Sequence, residues 1–133
     1  MNQEIEKLLA DKFPIYQRDE NIPSCFNYWG FECGDGWIPL LCDFADEVNN
    51  LNLNHFRIEQ IKEKYFRLII YIDAEGANSD IAAAEDLTHL FEVQSMTRCE
   101  RCGEPKSKEH KCNERYKDPN KMLEWAREII NRK

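Results

Sequence analysis

The sequence predicts an α+β fold, a small antiparallel sheet packed by helices. Apolar residues recur at three- and four-residue spacing in four separate stretches, and a β-rich run, "LIIYID", stands among them. Charged residues at 32% beside apolar residues at 42% fit a soluble globular chain and not a disordered one. At 133 residues there is material for one domain with its own core, so residues 1–133 are read as a single domain.

Ile5, Leu8, Leu9 and Phe13 predict a short amphipathic helix over residues 3–13, which Pro14 ends. From Ile15 to Gly34 no period holds, and the segment reads as a long loop with an edge strand around Phe26 to Phe31. Next, Trp37, Leu40, Leu41, Phe44, Val48 and Leu51 predict a helix over 36–51, with Asp35 as its cap and Pro39 in its first turn. In "HFRIEQIKEKYFRLIIYIDAEG" apolar and charged residues first alternate and then give way to an unbroken apolar run. Two antiparallel strands joined by a tight turn follow, and the run Leu68 to Ile72 implies a second strand covered on both faces or nearly so. Asn78 or Ser79 caps a further helix with the buried stripe Ile81, Ala84, Leu87, Leu90 and Phe91, running toward Met96. Asp118 and Pro119 open a terminal helix that carries Met122, Leu123, Trp125, Ala126, Ile129 and Ile130 and ends near Asn131.

Between the last two helices lies "CERCGEPKSKEHKC", which packs three thiols and one imidazole into fourteen positions. Cys99-x-x-Cys102-Gly103 has the spacing of a zinc knuckle, because two thiolates three positions apart reach one ion. The fourth ligand is open. His110, two residues before Cys112, completes a Cys3His set of Cys99, Cys102, His110 and Cys112; alternatively Cys33 or Cys42 is recruited from afar, and a loop of free thiols is the bland reading. A closed four-ligand zinc leaves no position for water or substrate, so it would be structural. The expected fold thus carries a C-terminal zinc knuckle and a terminal helix.

Net charge is −7 and unevenly spread: residues 1–97 hold 7 Lys/Arg against 18 Asp/Glu, and residues 98–133 hold 11 against 7, so a body of −11 precedes a tail of +4. Such a body repels phosphate backbones at long range and suits basic protein partners, leaving nucleic-acid binding to the basic third alone. Lys106, Lys108 and Lys111 sit among the thiols, where they touch an acidic surface or phosphate or are plain solvated surface. Tyr16, Phe26, Tyr28, Trp29 and Phe31 crowd the aperiodic stretch and either plug the sheet or form a sticky patch. Tyr28 and Trp29 are the patch candidates. "FECGDGW" reads as a tight turn with a helix cap and a Trp anchoring the core, or as a small-molecule site built from Cys33, Asp35 and His55. No P-loop, Ser-His-Asp order or paired-carboxylate motif is present, so no enzyme is expected. No apolar stretch approaches a membrane span, and the acidic start differs from a signal peptide. The six cysteines then point to metal ligands and buried side chains in a cytoplasm.

"GDGW" before an amphipathic helix, then "IKEKYFRLIIYID", then "CERCG" resembles a family of small, largely uncharacterised bacterial and phage proteins. Those proteins show a "GDGW" entry, a "KEKFGGLRFY" hairpin, a following helix and a "CExCG" knuckle. The match runs from about Phe31 to Cys112 through Gly34, Asp35, Gly36, Trp37, Lys62, Glu63, Lys64, Leu68, Tyr71, Cys99, Glu100, Cys102 and Gly103. Two departures stand out: Phe66 and Arg67 replace the hairpin glycines, which implies a longer or bulged connection, and the family's Cys-x-x-His second pair is absent after Cys112. The resemblance implies a phage or prophage setting and no known reaction. Together these readings give a non-enzymatic, zinc-stabilised protein-binding module, an inhibitor of a host protein such as a defence factor.

Overall fold

The computed structural model describes residues 1–132 and is an α+β fold. Helix α1 (Gln3–Lys12) starts at Asn2, whose side chain accepts from the Glu4 N–H at 2.7 Å, and buries Ile5 and Leu9. Pro14 ends it by opening a 3-10 turn, Pro14–Tyr16. Within the stretch read as a loop with an edge strand, a short helix, α2 (Cys25–Trp29), takes most of the place expected for the strand, and the edge strand itself is two residues, β1 (Phe31–Glu32). Ser24 causes this: its Oγ accepts from the Asn27 N–H at 3.0 Å and satisfies a first-turn donor.

A 3-10 turn, Asp35–Trp37, leads into α3 (Ile38–Asn49). Asp35 does not cap α3. Its carboxylate accepts from the Asn2 N–H at 3.3 Å, while Trp37 occupies the cap position without a side-chain hydrogen bond. Strands β2 (Leu53–Lys64) and β3 (Arg67–Gly76) form the antiparallel hairpin, and α4 (Asn78–Ser95) and α5 (Pro119–Asn131) complete the chain. Sheet order is β1-β2-β3, with β1 parallel to β2, so the sheet is mixed. Asp118 caps α5 as its sequence implies, accepting from Asn120 and Lys121.

Three expectations for the hairpin and α4 are corrected. Lys64 pairs with Arg67, so the turn is only two residues, and Tyr65 (φ 52°) and Phe66 (φ 63°) both take the left-handed conformation without glycine. That turn type matches the twist of the strands, and the inward-facing residues Ile61, Leu68 and Ile70 hold the register around it. Strand β3 is not covered on both faces: Leu68 and Ile70 are buried while Tyr71 is exposed, so the run is apolar on a side that water reaches. Helix α4 begins at Asn78, with Ala77 in the cap position and no side-chain cap. It buries Ala84, Phe91 and Ser95 but leaves Leu90 exposed.

The core lies between the inner sheet face and α1, α3, α4 and α5, with Trp37, Tyr16, Phe26 and Phe44 the largest fully buried side chains. Tyr16, Phe26 and Phe31 pack ring to ring, with centroids 5.1 Å apart for Tyr16–Phe31 and 5.2 Å for Phe26–Phe31. Burial pushes the Tyr16 phenol well above its usual range, and its O–H donates to the Leu41 carbonyl at 2.6 Å. Phe44 meets Phe91 edge-on at 5.6 Å and joins α3 to α4.

Helix α4 also closes the outer edge of β3. The Leu68 N–H, turned away from β2, donates to Ser95 Oγ at 2.8 Å, and that hydroxyl donates to the Glu92 carbonyl at 2.6 Å. A strand edge with a buried donor needs such a partner. Ser95→Ala leaves the Leu68 N–H unpaired and is expected to cost about 1–3 kcal/mol; chemical denaturation with an unchanged m-value checks this.

Candidate metal centre

The segment after α4 folds back at once. Arg98 bridges Pro105 in antiparallel fashion, the Lys106 N–H donates to the Thr97 carbonyl at 2.7 Å, and the Cys99 N–H to the Glu104 carbonyl at 2.9 Å. Gly103 takes φ +81°, which turns the chain directly after the second thiol. A Cβ there would lie 2.5 Å from Cζ2 of Trp125, so the position demands glycine for space as well as for angle.

This loop sits on the Gly34–Trp37 turn. The Gly36 N–H donates to the Glu100 carbonyl at 2.7 Å, the Gly34 N–H to the Glu100 carboxylate at 2.9 Å, and Trp37 Nε1 to the Arg98 carbonyl at 3.1 Å. A Cβ on Gly36 would fall 2.5 Å from the Glu100 carbonyl oxygen, and one on Gly34 would fall 2.6 Å from it. Backbone therefore lies on backbone, and Trp37 is both core anchor and hydrogen-bond donor. Burial raises the Glu100 carboxyl above its ordinary range, partly offset by the Gly34 N–H. From the other side Arg115 donates twice to the Cys102 carbonyl, at 2.6 and 3.1 Å, pairs with Glu104 at 2.7 Å, and stacks over Trp125 at 4.4 Å.

The clamped loop brings Cys99, Cys102, His110 and Cys112 together, with one ligand atom of each within 4.8 Å of all the others. Cys99 Sγ lies 3.7 Å from Cys112 Sγ, and Cys102 Sγ lies 3.5 Å from His110 Nε2. Cys99 and Cys102 are buried, His110 and Cys112 half-buried. This cluster can hold a metal ion. Burial alone would raise the Cys99 thiol, but the backbone N–H groups of Cys102 and Arg101 and the neighbouring thiols pull it down to about 7. Desolvation and the adjacent Cys99 and Cys102 sulfurs push Cys112 up to about 11.

Cys33 and Cys42 are buried apart from this group; burial pushes the Cys33 thiol far upward. His55 pairs with Asp73 at 3.7 Å, and Arg57 joins the same carboxylate at 3.2 Å, so Cys33, Asp35 and His55 do not form a joint site. The aromatic stretch divides: Tyr16, Phe26 and Phe31 plug the core, while Tyr28 and Trp29 are exposed on the rim of a groove of about 560 Å³ whose floor includes Glu6 and Arg18. Lys106, Lys108 and Lys111 are exposed.

Comparison with protein-family models, with curated proteins and with solved structures finds no match. The roles of Gly34, Gly36, Glu100, Arg115 and Trp125 as the seat of the loop are absent from a reading of ligand spacing alone. The sequence signal for Gly34, Gly36 and Glu100 was the joint presence of "GDGW" and "CERCG"; neither motif contains Arg115 or Trp125.

Gly36→Ala is expected to undock the loop at a cost of about 3 kcal/mol or more and to weaken metal binding as well. Thermal melting with and without added metal reads both effects.

Proposed function

We propose that this chain is a zinc-stabilised protein-binding module. One observation carries the choice of metal. A tetrahedral zinc with bonds of ~2.3 Å to sulfur and ~2.0 Å to nitrogen has S···S edges of ~3.8 Å and S···N edges of ~3.5 Å. Two of the six edges here match, at 3.7 Å for Cys99–Cys112 and 3.5 Å for Cys102–His110, and all six lie within 4.8 Å. Three thiolates and one imidazole are a donor set that zinc favours over hard cations. Four protein ligands fill the tetrahedron, so the ion supplies folding energy and no water-activating position.

Binding to a protein is supported by large apolar side chains left in water, Tyr65 and Phe66 at 76% exposure, Trp29 at 71% and Tyr28 at 55%. The resemblance to small bacterial and phage proteins supports a phage or prophage accessory role in the host cytoplasm, where thiols stay reduced. The target is then a host protein, and the outcome inhibition, including counter-defence. No helix is long and apolar enough to cross a membrane among the described residues. A second reading, a nucleic-acid contact through Lys106, Lys108 and Lys111, is favoured by these three lysines being exposed and making no ion pair among the described residues. Retention of DNA or RNA that falls steeply with salt would favour it.

Native against denaturing mass spectra are expected to show one zinc per chain, lost in Cys112→Ser, and a chelator is expected to lower the Tm of the wild type sharply. A metal-free chain whose melting ignores chelators would falsify the zinc reading. Zinc affinity is expected to rise with pH. Cys112, held up at about 11, is protonated at neutral pH and gives up its proton on ligation, so lowering the pH from about 8 to about 6 weakens binding. Titration calorimetry in buffers of different ionisation enthalpy counts the protons released.

A further inference from the structure

The Tyr65–Phe66 turn is strained, and its local compensation is one hydrogen bond, from the Phe66 N–H to the Glu63 carboxylate at 3.3 Å. Both residues lie in the left-handed region, which costs a non-glycine residue roughly 1–2 kcal/mol. Both side chains are 76% exposed, so neither recovers that cost by burial. An Asn-Gly pair would make the same two-residue turn without the penalty. Two large aromatic rings are therefore held out into water at the fold's expense.

Around them the chain assembles a surface from three separate segments. Arg67 pairs with Glu92 at 3.3 Å and Leu68 bonds Ser95, which sets the end of α4, with half-exposed Met96 just beyond it, against the turn. Lys106 of the metal-held loop is tied by its backbone to Thr97 and lays its ammonium over Phe66 at 5.3 Å. Lys64 does the same over Tyr65 at 5.7 Å. Behind the tip runs a groove of about 500 Å³ along β3, walled by Ile69, Tyr71 and His89. In a chain of net charge −7, neither Lys64 nor Lys106 makes an ion pair among the described residues.

We propose that this hairpin tip anchors a docking surface for an acidic protein segment, one apolar residue flanked by carboxylates. The apolar residue packs against Phe66 and Tyr65, and the carboxylates meet the ammoniums of Lys64 and Lys106, which the ring faces already position. Net charge alone favours a basic partner. At physiological salt, however, charges farther than ~8 Å are largely screened, so the local cations decide the contact. A nucleic-acid strand fits less well, because its charge continues onto a body of −11 whereas a peptide carries carboxylates only at the tip. The inference rests on the protein-binding reading and assigns it a centre and a partner chemistry.

The test is selection from a displayed library of random dodecapeptides on the zinc-loaded chain, followed by affinity measurement on the synthetic consensus peptide. Enrichment of an apolar residue flanked by Asp or Glu is expected. Affinity is expected to fall about tenfold or more in Tyr65→Asn plus Phe66→Gly, and to weaken in Lys106→Gln. The double variant is also expected to melt at a higher temperature than the wild type, since it relieves the turn. A lower Tm would make the rings structural and overturn the proposal. Binding retained by that variant but lost in Tyr28→Ala plus Trp29→Ala would move the interface to the other aromatic pair, overturning the tip while keeping the protein-binding reading. Failure to enrich any peptide overturns both. Phe66-dependent binding of a labelled single-stranded oligothymidylate, or a Phe66-dependent dimer in sedimentation, would replace the acidic segment with a nucleic acid or a second copy of the chain.

Discussion

The contact on which the rest depends is backbone against backbone: Gly34 and Gly36 under the carbonyl of Glu100. Everything near the metal cluster is oriented from there. Trp37 reaches from the core to the Arg98 carbonyl, Gly103 passes flat over Trp125, and Arg115 holds the Cys102 carbonyl from the far side. Side chains alone would leave such a loop several rotamers. Hydrogen bonds to three of its main-chain carbonyls, those of Arg98, Glu100 and Cys102, leave it one path, and the four donor atoms converge because that path is set. A metal would then close an arrangement that the protein has largely made, which lowers the ordering cost of binding.

The same seat explains why a short, loosely patterned chain needs its distant segments. The inner sheet face is small, with three strands of which one has two residues, and much of the core comes from α1, α3 and the ring cluster of Tyr16, Phe26 and Phe31. Those rings and β1 are held by Glu6, which accepts from the Phe31 N–H at 3.1 Å, and by Arg18 on the Asn27 and Tyr28 carbonyls. Polar side chains thus order the aperiodic stretch, and the hydrophobic effect fills it.

How much was legible follows from this division of labour. Helices with a regular apolar stripe, α1, α3 and α5, were readable because burial and periodicity coincide in them, and Asp118–Pro119 marked a start by local chemistry alone. The hairpin was readable for the same reason. The convergence of Cys99, Cys102, His110 and Cys112 was one of three readings left by spacing, since a non-standard gap says nothing about how the chain between is folded. Helix α2 was missed because its signal, Ser24 on the Asn27 N–H, is a single hydrogen bond in a five-residue element. Asp35 was misassigned because a capping residue type looks the same whether it serves the next helix or, as here, the N–H of Asn2. The tight turn read from the residues is present, while the longer or bulged connection implied by the missing glycines is not, because strand register overrode the residues' own φ preference.

Because Gly34 and Gly36 wait for Glu100, the centre of the structure is closed by residues far apart along the chain. A ribosome must deliver everything through Trp125 before the loop is fully seated, and closing so wide a loop is slow compared with forming α1 or the hairpin. During that interval three sulfurs stand open to oxygen and to mismatched pairing. The reducing capacity of the surroundings therefore acts on the yield of finished molecules, through a race that begins at synthesis.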